Sequence, residues 1–405
     1  MPQEIVELHG HLIDSLILPR VLDLIMNFKA SYQIQQMQVG IRQQDPSHAR
    51  ILIAHEDSKT LETLLHAVAR HGAEPVERKE AHVRSAVRPG AFPPNFYVTT
   101  NLDTEIYLRG RWVRVKNPEM DSGIRVTHAR RQAETVKMVN VRKGDRLVVG
   151  GDGVRVIPLE GRLRPDDFQF MTRGVSTEKP KGALIASLAR WMKRERRARR
   201  PILWVCGPAL VHTGAGPFFE KLVRAGYVQI LFAGNGLAAH DIESALLGTS
   251  LGVSLREGTL TSGGHENHLR AINTIRLAGG IRSAVAKGIL RSGVMFACVR
   301  HGVDFVLTGS IRDDGPLPEV ITEMREAQAE MRRRCRSVGL AIMIATALHS
   351  VATGNMLPAR TRVFCADIQP GALTKLMDRG TTQTAGIVID VQPFLRELLA
   401  ELRIA

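Results

Sequence analysis

Titratable side chains gather at a few points in the second half of the chain, each time just after a short apolar run. Asp313 and Asp314 stand side by side next to an arginine, and His240 and Asp241 form a second pair. Such groups can hold a cationic substrate or position a base for proton transfer. The alternative is structural, because the first pair suits a turn before a proline-initiated helix and the second suits an ordinary helix start.

Six apolar runs carry these and other polar side chains at their ends. A strand buried on both faces reads as a continuous apolar run, and ligands bind beyond the carboxyl ends of such strands in parallel sheets. Helical patterns alternate with the runs. We therefore predict a six-stranded parallel, doubly wound α/β domain with a binding site along one sheet edge. The predicted strands are 202–206, 228–232, 303–307, 340–344, 362–366 and 386–389.

Glycine-rich loops follow the first two runs and predict a dinucleotide cradle of a variant kind. A Rossmann fingerprint has GxGxxG after the first strand. Gly214 and Gly216 are present, but Phe219 stands where the third glycine belongs, and the loop at 234–236 also lacks it. Asp367 ends the fifth run, where an acid can accept hydrogen bonds from a ribose diol or can cap a helix. Both interpretations of Asp367 stay open.

The first 180 residues follow two other patterns. Apolar periodicities over residues 1–80 give the order β-α-β-β-α-β, which is typical of a ferredoxin-like α+β unit. Such units bind small ligands or mediate pairing, and we expect a homo-oligomer. Residues 81–180 contain short alternating runs broken by turns, which predict a small β-rich domain. The predicted domains are therefore 1–80, 81–180 and 181–405.

The net charge of +15 allows a nucleic-acid partner to be considered, and the densest basic run is 193–200. Clustered cations bind phosphates, but cations also favour the carboxyl end of a helix, where the dipole is negative. Aromatic residues make up only 5% of the chain and none interrupts the basic run, so no base-stacking platform is visible. We favour a solvated helix end and expect no nucleic-acid partner.

The cysteine and histidine patterns argue against disulfides and bound metal. The four cysteines form no CxxC pair and no spacing typical of zinc sites, which indicates a reducing, cytoplasmic setting. His265 and His268 stand three residues apart and could share a helical face. No third ligand is suggested, so we expect no metal site.

Neither a leader nor a membrane span is expected. The amino terminus has no basic start and no apolar core, which argues against a signal peptide. The uncharged segment 337–358 is long enough to cross a bilayer. Its Thr, His, Ser and Asn side chains fit a buried strand followed by a helix better.

Several long phrases together resemble the archaeal and cyanobacterial type of ornithine cyclodeaminase, a family once labelled as related to lysine-ketoglutarate reductase/saccharopine dehydrogenase. The resemblance covers nearly the whole chain and is sparser over residues 81–165. It departs at Gly236, where the family pattern has Ala. The phrases are Gly10-His11-Leu12-Ile13-Asp14-Ser15, 45–52, 207–214, 232–252, 268–273, 309–320, 348–358 and 365–380.

The resemblance implies an NAD-binding domain of the deoxyhypusine-synthase-like group, which would account for the missing Rossmann fingerprint. It places the nucleotide at the same strand ends that the apolar runs indicate. The residues implied are Asn235, Gly236, Asp313, Ala347, Leu348, His349, Asp367, Asp390 and Val391.

The reaction implied by the resemblance converts L-ornithine to L-proline and ammonia with a tightly bound, internally recycled NAD. Cα is oxidised to an imine, the δ-amine attacks, ammonia leaves, and the cyclic imine is reduced by the same cofactor. We expect Asp314 or Asp241 to bind the ammonium groups or relay protons, with His240 and His349 as alternates near the nicotinamide. Two rivals stay open: a net NAD-dependent amino-acid dehydrogenase and a non-catalytic NAD- or amino-acid-binding regulatory protein.

Overall fold

A computed structural model describes most of the chain and divides it into two compact units, Met1–Phe168 and Gln169–Ala405. The predicted division into three domains stays a prediction. The residues described are 1–13, 17–40, 45–69, 71–76, 79–127, 132–157, 181–250, 253–254, 267–313, 315–378 and 384–405.

The first unit begins with the predicted β-α-β-β-α-β order. The elements are β1 (Gln3–Gly10), α1 (Ile17–Asn27), β2 (Ser31–Gln38), β3 (Ser47–Ala54), α2 (Ser58–Ala69) and β4 (Glu74–Pro75). The strands form an antiparallel sheet in the order β2-β3-β1-β4. Alternation along β1 buries Val6 and Leu8 in the core with Val21 and Ile25 of α1, so Glu7 and His9 lie on the other face of the sheet.

The rest of the first unit is β-rich, as predicted. Its strands are β5 (His82–Ser85), β6 (Asp103–Leu108), β7 (Arg111–Lys116), β8 (Gly123–Thr127), β9 (Gln132–Val136), β10 (Arg146–Val149) and β11 (Val154–Ile157), with a short 3₁₀ turn at Met138–Asn140. They are joined in the order β11-β6-β7-β9-β8-β10-β5. Inward-facing residues such as Ile106, Ile124 and Val148 form a core of their own.

The second unit alternates helices and strands. Its first half contains α3 (Lys181–Arg197), β12 (Ile202–Cys206), α4 (Ala209–His212), α5 (Gly216–Arg224), β13 (Ile230–Gly234), α6 (Asn235–Leu247), β14 (Thr249–Ser250), β15 (Val253–Ser254), α7 (Asn267–Ala278), α8 (Ile281–Ala286) and α9 (Val294–Arg300). Its second half contains β16 (Asp304–Thr308), β17 (Val320–Ile321), α10 (Met324–Cys335), β18 (Leu340–Ile344), α11 (Ala347–Met356), β19 (Arg362–Asp367), α12 (Pro370–Asp378), β20 (Thr384–Val388) and α13 (Val391–Leu402).

Seven of the described strands of this unit form a parallel sheet in the order β17-β16-β13-β12-β18-β19-β20, and β14 and β15 form a separate antiparallel pair. The sheet therefore has one strand more than the six predicted. The strand that was missed is β17, which has only two residues and no apolar run in the sequence. The six longer strands run 3-2-1-4-5-6 in chain order, an order typical of dinucleotide-binding sheets. The strand order reverses between β12 and β18, so the binding crevice is expected beyond the carboxyl ends of these two strands.

Apolar cores cover both faces of the sheet, which is why its strands read as continuous apolar runs. On one face, Trp204 packs edge-on against Phe219, and its indole N–H donates to the Tyr227 carbonyl at 3.0 Å. On the other face, Phe232 and Met343 pack with residues from α10, α11 and α12.

The two segments whose sequence allowed more than one interpretation are ordinary parts of this fold. Segment 337–358 contains β18 and α11, and no helix in the described part of the chain is long and apolar enough to cross a membrane. The basic run lies at the end of α3, as we favoured. Arg200 pairs there with the buried Glu195 at 2.5 Å, and the Arg196 guanidinium lies 4.8 Å from the centre of the Tyr227 ring.

Candidate functional site

The ends of β12 and β18 approach each other closely where the strand order reverses. The Gly207 N–H donates to the Ile344 carbonyl at 3.0 Å, and a Cβ at Gly207 would overlap the carbonyl oxygen of Ala345. Ala345 has φ +52°, a left-handed conformation that costs energy for a residue with a side chain. The backbone is therefore constrained at the point where a parallel sheet binds its ligand.

Helix α11 starts beside this point and carries three of the predicted cofactor residues. Ala347 and Leu348 are exposed in its first turn, with Leu348 83% exposed. Thr346 precedes them without a side-chain capping bond, so backbone N–H groups are open to an anion. The His349 ring lies parallel to Phe232 with 6.4 Å between centroids, and its Nε2 is buried without a hydrogen-bond partner among the residues that the structure describes. Burial lowers the pKa of His349 to about 4.

The buried imidazole of His349 makes stability depend on pH. The unfolded chain takes up a proton near pH 6.5, but the folded chain does so only near pH 4, so stability falls as pH drops between these values. Between pH 7.5 and 5 this loss amounts to about 2 kcal/mol, and replacing His349 with Gln should remove it. Urea unfolding of both proteins at pH 7.5 and 5 measures it, and parallel losses would contradict the assignment. The raised pKa of Asp241 makes the folded state more stable as pH drops through this window. Both proteins contain Asp241, so this contribution cancels when their stabilities are compared.

Asn235 and Gly236 begin α6 at the end of β13. Asn235 is buried, and its Oδ1 accepts the Leu317 N–H at 3.1 Å, which ties the loop after β16 to the start of α6. A Cβ at Gly236 would lie 3.7 Å from the Pro208 ring, an ordinary contact. The departure from the Ala of the family pattern therefore costs no rearrangement.

The remaining predicted cofactor residues lie at neighbouring strand ends, and each already makes a local contact. Asp313 accepts the Ser310 N–H at 2.7 Å, and the buried Asp367 accepts the Gln369 N–H at 2.8 Å. Asp390 caps α13 by accepting the Gln392 N–H at 3.2 Å. The Val391 side chain is buried in the core, so only its backbone is available to a ligand. Across the sheet edge these residues flank the crevice, with Asp313 and Asn235 on one side and Asp367 and Asp390 on the other.

Asp241 has a structural position that the sequence did not lead us to expect. Its two carboxylate oxygens accept the Val294 and Met295 N–H groups, both at 2.8 Å, and so cap α9 from a neighbouring helix. A Cβ at Gly293 would lie 2.9 Å from Oδ2, which explains a glycine there. Burial raises the pKa of Asp241 to about 7 despite these bonds. Because both oxygens are used, we leave Asp241 out of the proposed chemistry.

His240 belongs to a group of polar side chains that the sequence mostly did not reveal. Its Nδ1 lies 2.9 Å from Oε2 of Glu243, whose side chain is fully buried and whose Oε1 accepts the Thr249 hydroxyl at 2.8 Å. A carboxylate only accepts hydrogen bonds, so Nδ1 of His240 is the donor and Nε2 is left to exchange a proton. The His240 side chain is 14% exposed, which gives it access to a ligand.

His212 forms the second part of the group. Its ring meets that of His240 edge-on with 4.9 Å between centroids, and its Nδ1 lies 2.7 Å from the Ser250 hydroxyl. Burial, and then the charge of His240, lowers the pKa of His212. His268 follows at 6.2 Å from the His240 centroid. His212 and His240 lie on the helices that follow β12 and β13, whereas Ser250 and His268 come from β14 and α7. Only the i, i+3 spacing of His240 and Glu243 could have indicated the group from sequence.

Asp314, the first catalytic candidate, lies outside the described residues, as does His265. The described residues at the sheet edge fit a dinucleotide on their own geometry. Gly214 has φ +71°, and a Cβ at this position would have no atom of the described residues within 4 Å, so its loop borders a space that these residues leave open. Within the described part of the chain, this space, the buried Nε2 of His349 and the uncapped start of α11 together offer both room and donors for a nucleotide.

Comparison with known families covers nearly the entire chain. Residues 186–398 match the family described as arginine dihydrolase ArgZ-like, C-terminal, Rossmann fold, and residues 103–185 match its first region. Residues 3–102 match the LOR/SDH bifunctional enzyme conserved region. The resemblance drawn from the sequence phrases is confirmed.

Individual relatives agree with the family matches. The chain is 47% identical to an ornithine cyclodeaminase of Methanocaldococcus jannaschii over 98% of this chain and 95% of that protein. The apo structure of ArgZ, an arginine dihydrolase from the ornithine-ammonia cycle in cyanobacteria, has a TM-score of 0.85 at 32% identity. That match covers 99% of this chain and 58% of ArgZ. The ternary complex of AgrE with ornithine and NAD⁺ has a TM-score of 0.54 at 35% identity, covering 99% of this chain and 57% of AgrE.

Proposed function

The chain belongs to the family of ArgZ-like ornithine cyclodeaminases, and on that premise we propose that it converts L-ornithine to L-proline and ammonia. It is an NAD-dependent enzyme of this family, and its bound NAD is recycled within each turnover. The observation that carries the proposal is the combination of a dinucleotide crevice at the strand reversal with the buried Glu243–His240 pair on the next helix. The chain spans only 58% of ArgZ, so we carry over ornithine and NAD and not the arginine dihydrolase activity.

The chain's own residues have to manage protons. When bound, NAD supplies the oxidation at Cα of ornithine and the later reduction of the cyclic imine. The amines of ornithine are ammonium groups at neutral pH, and an ammonium nitrogen has no lone pair with which to attack. Nε2 of His240 takes a proton from an ornithine ammonium, and Glu243 stabilises the imidazolium that forms. His212, whose pKa burial lowers, lies edge-on to His240 and is fixed by the Ser250 hydroxyl, so it holds the His240 ring in place. Asp314 remains a candidate for binding the second ammonium.

The nucleotide is assigned to the strand ends on both sides of the crevice. Asn235 and Gly236 would approach the phosphates at the start of α6, and Ala347, Leu348 and His349 would line the start of α11. Asp313, Asp390 and the backbone of Val391 would border the ends of the pocket, and Asp367 would bind a ribose diol. The sheet then belongs to the deoxyhypusine-synthase-like group, a proposal supported by the missing third glycine of the first loop.

Replacing Asp367 with Ala should weaken NAD binding by about 10- to 100-fold, because hydrogen bonds to a carboxylate contribute about 1.5–3 kcal/mol. Asp367→Asn keeps an acceptor for the Gln369 N–H and should show a smaller loss. Asp304→Ala is the matched control, since Asp304 also forms a polar contact, with Arg334, but stands at the amino end of β16, whereas Asp367 stands at the carboxyl end of β19. Fluorescence titration with NAD⁺ measures the three affinities, and an unchanged affinity in Asp367→Ala would remove the ribose assignment.

The reaction is tested by incubating the purified protein with L-ornithine and substoichiometric NAD⁺. Proline and ammonia in equal amounts, without accumulation of NADH, are expected. Stoichiometric NADH with another product would indicate the amino-acid dehydrogenase instead. Binding of NAD and ornithine without turnover would indicate the regulatory protein.

We also propose a cytoplasmic homo-oligomer. The four cysteines are free and buried, which suits a reducing compartment. Large apolar side chains such as Leu277, 80% exposed, suit contact with a second copy. Light scattering of the purified chain measures the mass.

A further inference from the structure

Three side chains of the kind that bind metal ions share one face of the first sheet. Glu7 and His9 are two residues apart on β1, so they point to the same side. His48 on β3 is the direct cross-strand partner of His9. Direct partners in an antiparallel pair hold their Cβ atoms about 4.5–5.5 Å apart, which is a chelating distance for two imidazoles. This is the face away from α1 and α2, and the proposed reaction does not use it.

The ligand-type atoms of this triad converge. Nε2 of His9 lies 3.6 Å from Oε2 of Glu7, and Nε2 of His48 lies 3.9 Å from Oε1 of the same carboxylate. One atom from each residue lies within 4.8 Å of the other two. Ligand atoms bound to one tetrahedral zinc ion at about 2.0–2.1 Å are about 3.4 Å apart. The three ligand atoms, which lie within 4.8 Å of one another, therefore have to close by up to about 1.4 Å, a movement that side-chain rotation can supply.

Ring orientation sets the movement that binding requires. The His9 and His48 rings are stacked, with centroids 4.4 Å apart and planes inclined by 25°. Their Nε2 lone pairs must turn towards a common point before they can share an ion. The His9 side chain is 64% exposed and can rotate, whereas that of His48 is 22% exposed and held more closely. Neighbouring Arg50 is the main competitor, because its Nε lies 3.9 Å from Oε1 of Glu7.

We propose that Glu7, His9 and His48 form a binding site for a transition-metal dication of the zinc class. Two imidazoles and one carboxylate are a ligand set that zinc accepts, with water in the remaining position. Binding brings the three side chains together and displaces Arg50 from Glu7. The sequence predicted no metal site because only His265 and His268 have a suggestive spacing, whereas His9 and His48 are brought together only by strand pairing.

Zinc titration of the untagged full-length protein against a chromophoric chelator tests this site. Wild-type protein should bind Zn²⁺ at this site, and His48→Gln, His9→Gln and Glu7→Gln should each weaken that binding by at least about tenfold. His82→Gln is the matched control, because His82 is also an exposed histidine 3.7 Å from a single carboxylate, that of Asp152. It should leave zinc binding unchanged. Circular dichroism and the thermal midpoint confirm that each variant is folded.

Arg50→Gln gives a result that a merely structural role for the triad would not produce. Removing the competing cation should tighten zinc binding, whereas loss of a structural ion pair would leave it unchanged or weaken it. Equal zinc affinity in wild type and His48→Gln would overturn the proposal, because the ion would then be held elsewhere. Absence of zinc binding in the wild type would also overturn it. Neither outcome bears on the proposed ornithine reaction, because the residues assigned to that reaction belong to the second unit.

Discussion

Replacing Glu243 with Gln should lower kcat for ornithine by about 100-fold or more while leaving NAD binding intact. The carboxylate accepts hydrogen bonds from both Nδ1 of His240 and the Thr249 hydroxyl. The amide of Gln keeps the size but has one donor end. With that end towards His240, Nδ1 must become the acceptor, and Nε2 then carries the proton and can no longer take one. The effect should fall on kcat, because the proposed role of Glu243 is to position His240 and not to contact the substrate.

Two comparisons separate this positioning role from simple loss of stability. Glu195→Gln changes another buried glutamate, paired with Arg200 before the amino end of β12, and should leave kcat unchanged. The double variant His240→Gln/Glu243→Gln should lose little more activity than either single variant, because residues that act as a unit are not additive. A shift in the pH profile of kcat should accompany Glu243→Gln. Normal turnover in this variant, with folding intact, would remove the His240–Glu243 pair from the reaction.

Replacing Gly207 with Ala should disrupt the crevice at the strand reversal. The new methyl group overlaps the carbonyl oxygen of Ala345, which is backbone and cannot rotate away. The ends of β12 and β18 must move apart, at a cost of about 1–3 kcal/mol in folding free energy. Because Ala345 leads into α11, we expect NAD affinity to fall by about tenfold or more.

Gly236→Ala is the matched control for Gly207→Ala. The change is chemically identical and lies at the neighbouring strand end, but the new methyl group would sit 3.7 Å from Pro208. Stability and NAD affinity should therefore stay close to the wild-type values. Chemical denaturation and NAD⁺ titration measure both variants. Equal behaviour of the two would contradict the assignment of Gly207 to the crevice.

The long strands of the sheet in the second unit could be predicted from sequence, because the burial of each strand is visible in its own residues. Strands buried on both faces must be apolar throughout, so runs such as 340–344 mark them directly. The ferredoxin-like order of strands and helices in the first unit could be predicted for the same reason. The alternation of apolar residues in β1 and their helical periodicity in α1 show which faces are buried. The two-residue strand β17 carries no such pattern, and its pairing with β16 is set only by the folded loop.

The site was predictable as an edge of the sheet but not as a set of contacts. In the sequence Asp241 suggested a catalytic acid. Its helix-capping contacts could not be predicted, because Val294 and Met295 lie 53 and 54 residues further along the chain. The contact between His212 and Ser250 likewise depends on tertiary packing across 38 residues. The left-handed backbone conformation at Ala345 could not be predicted from the sequence, since alanine does not favour this conformation.

One bound cofactor is expected both to oxidise and to reduce the same carbon skeleton at this site. The most direct measurement follows L-ornithine deuterated at Cα through turnover with substoichiometric NAD⁺, with mass spectrometry of the proline formed. Internal recycling returns the deuterium, so we expect proline that keeps its label at Cα. Proline without the label, or label found in free reduced nicotinamide with no proline, would contradict internal recycling.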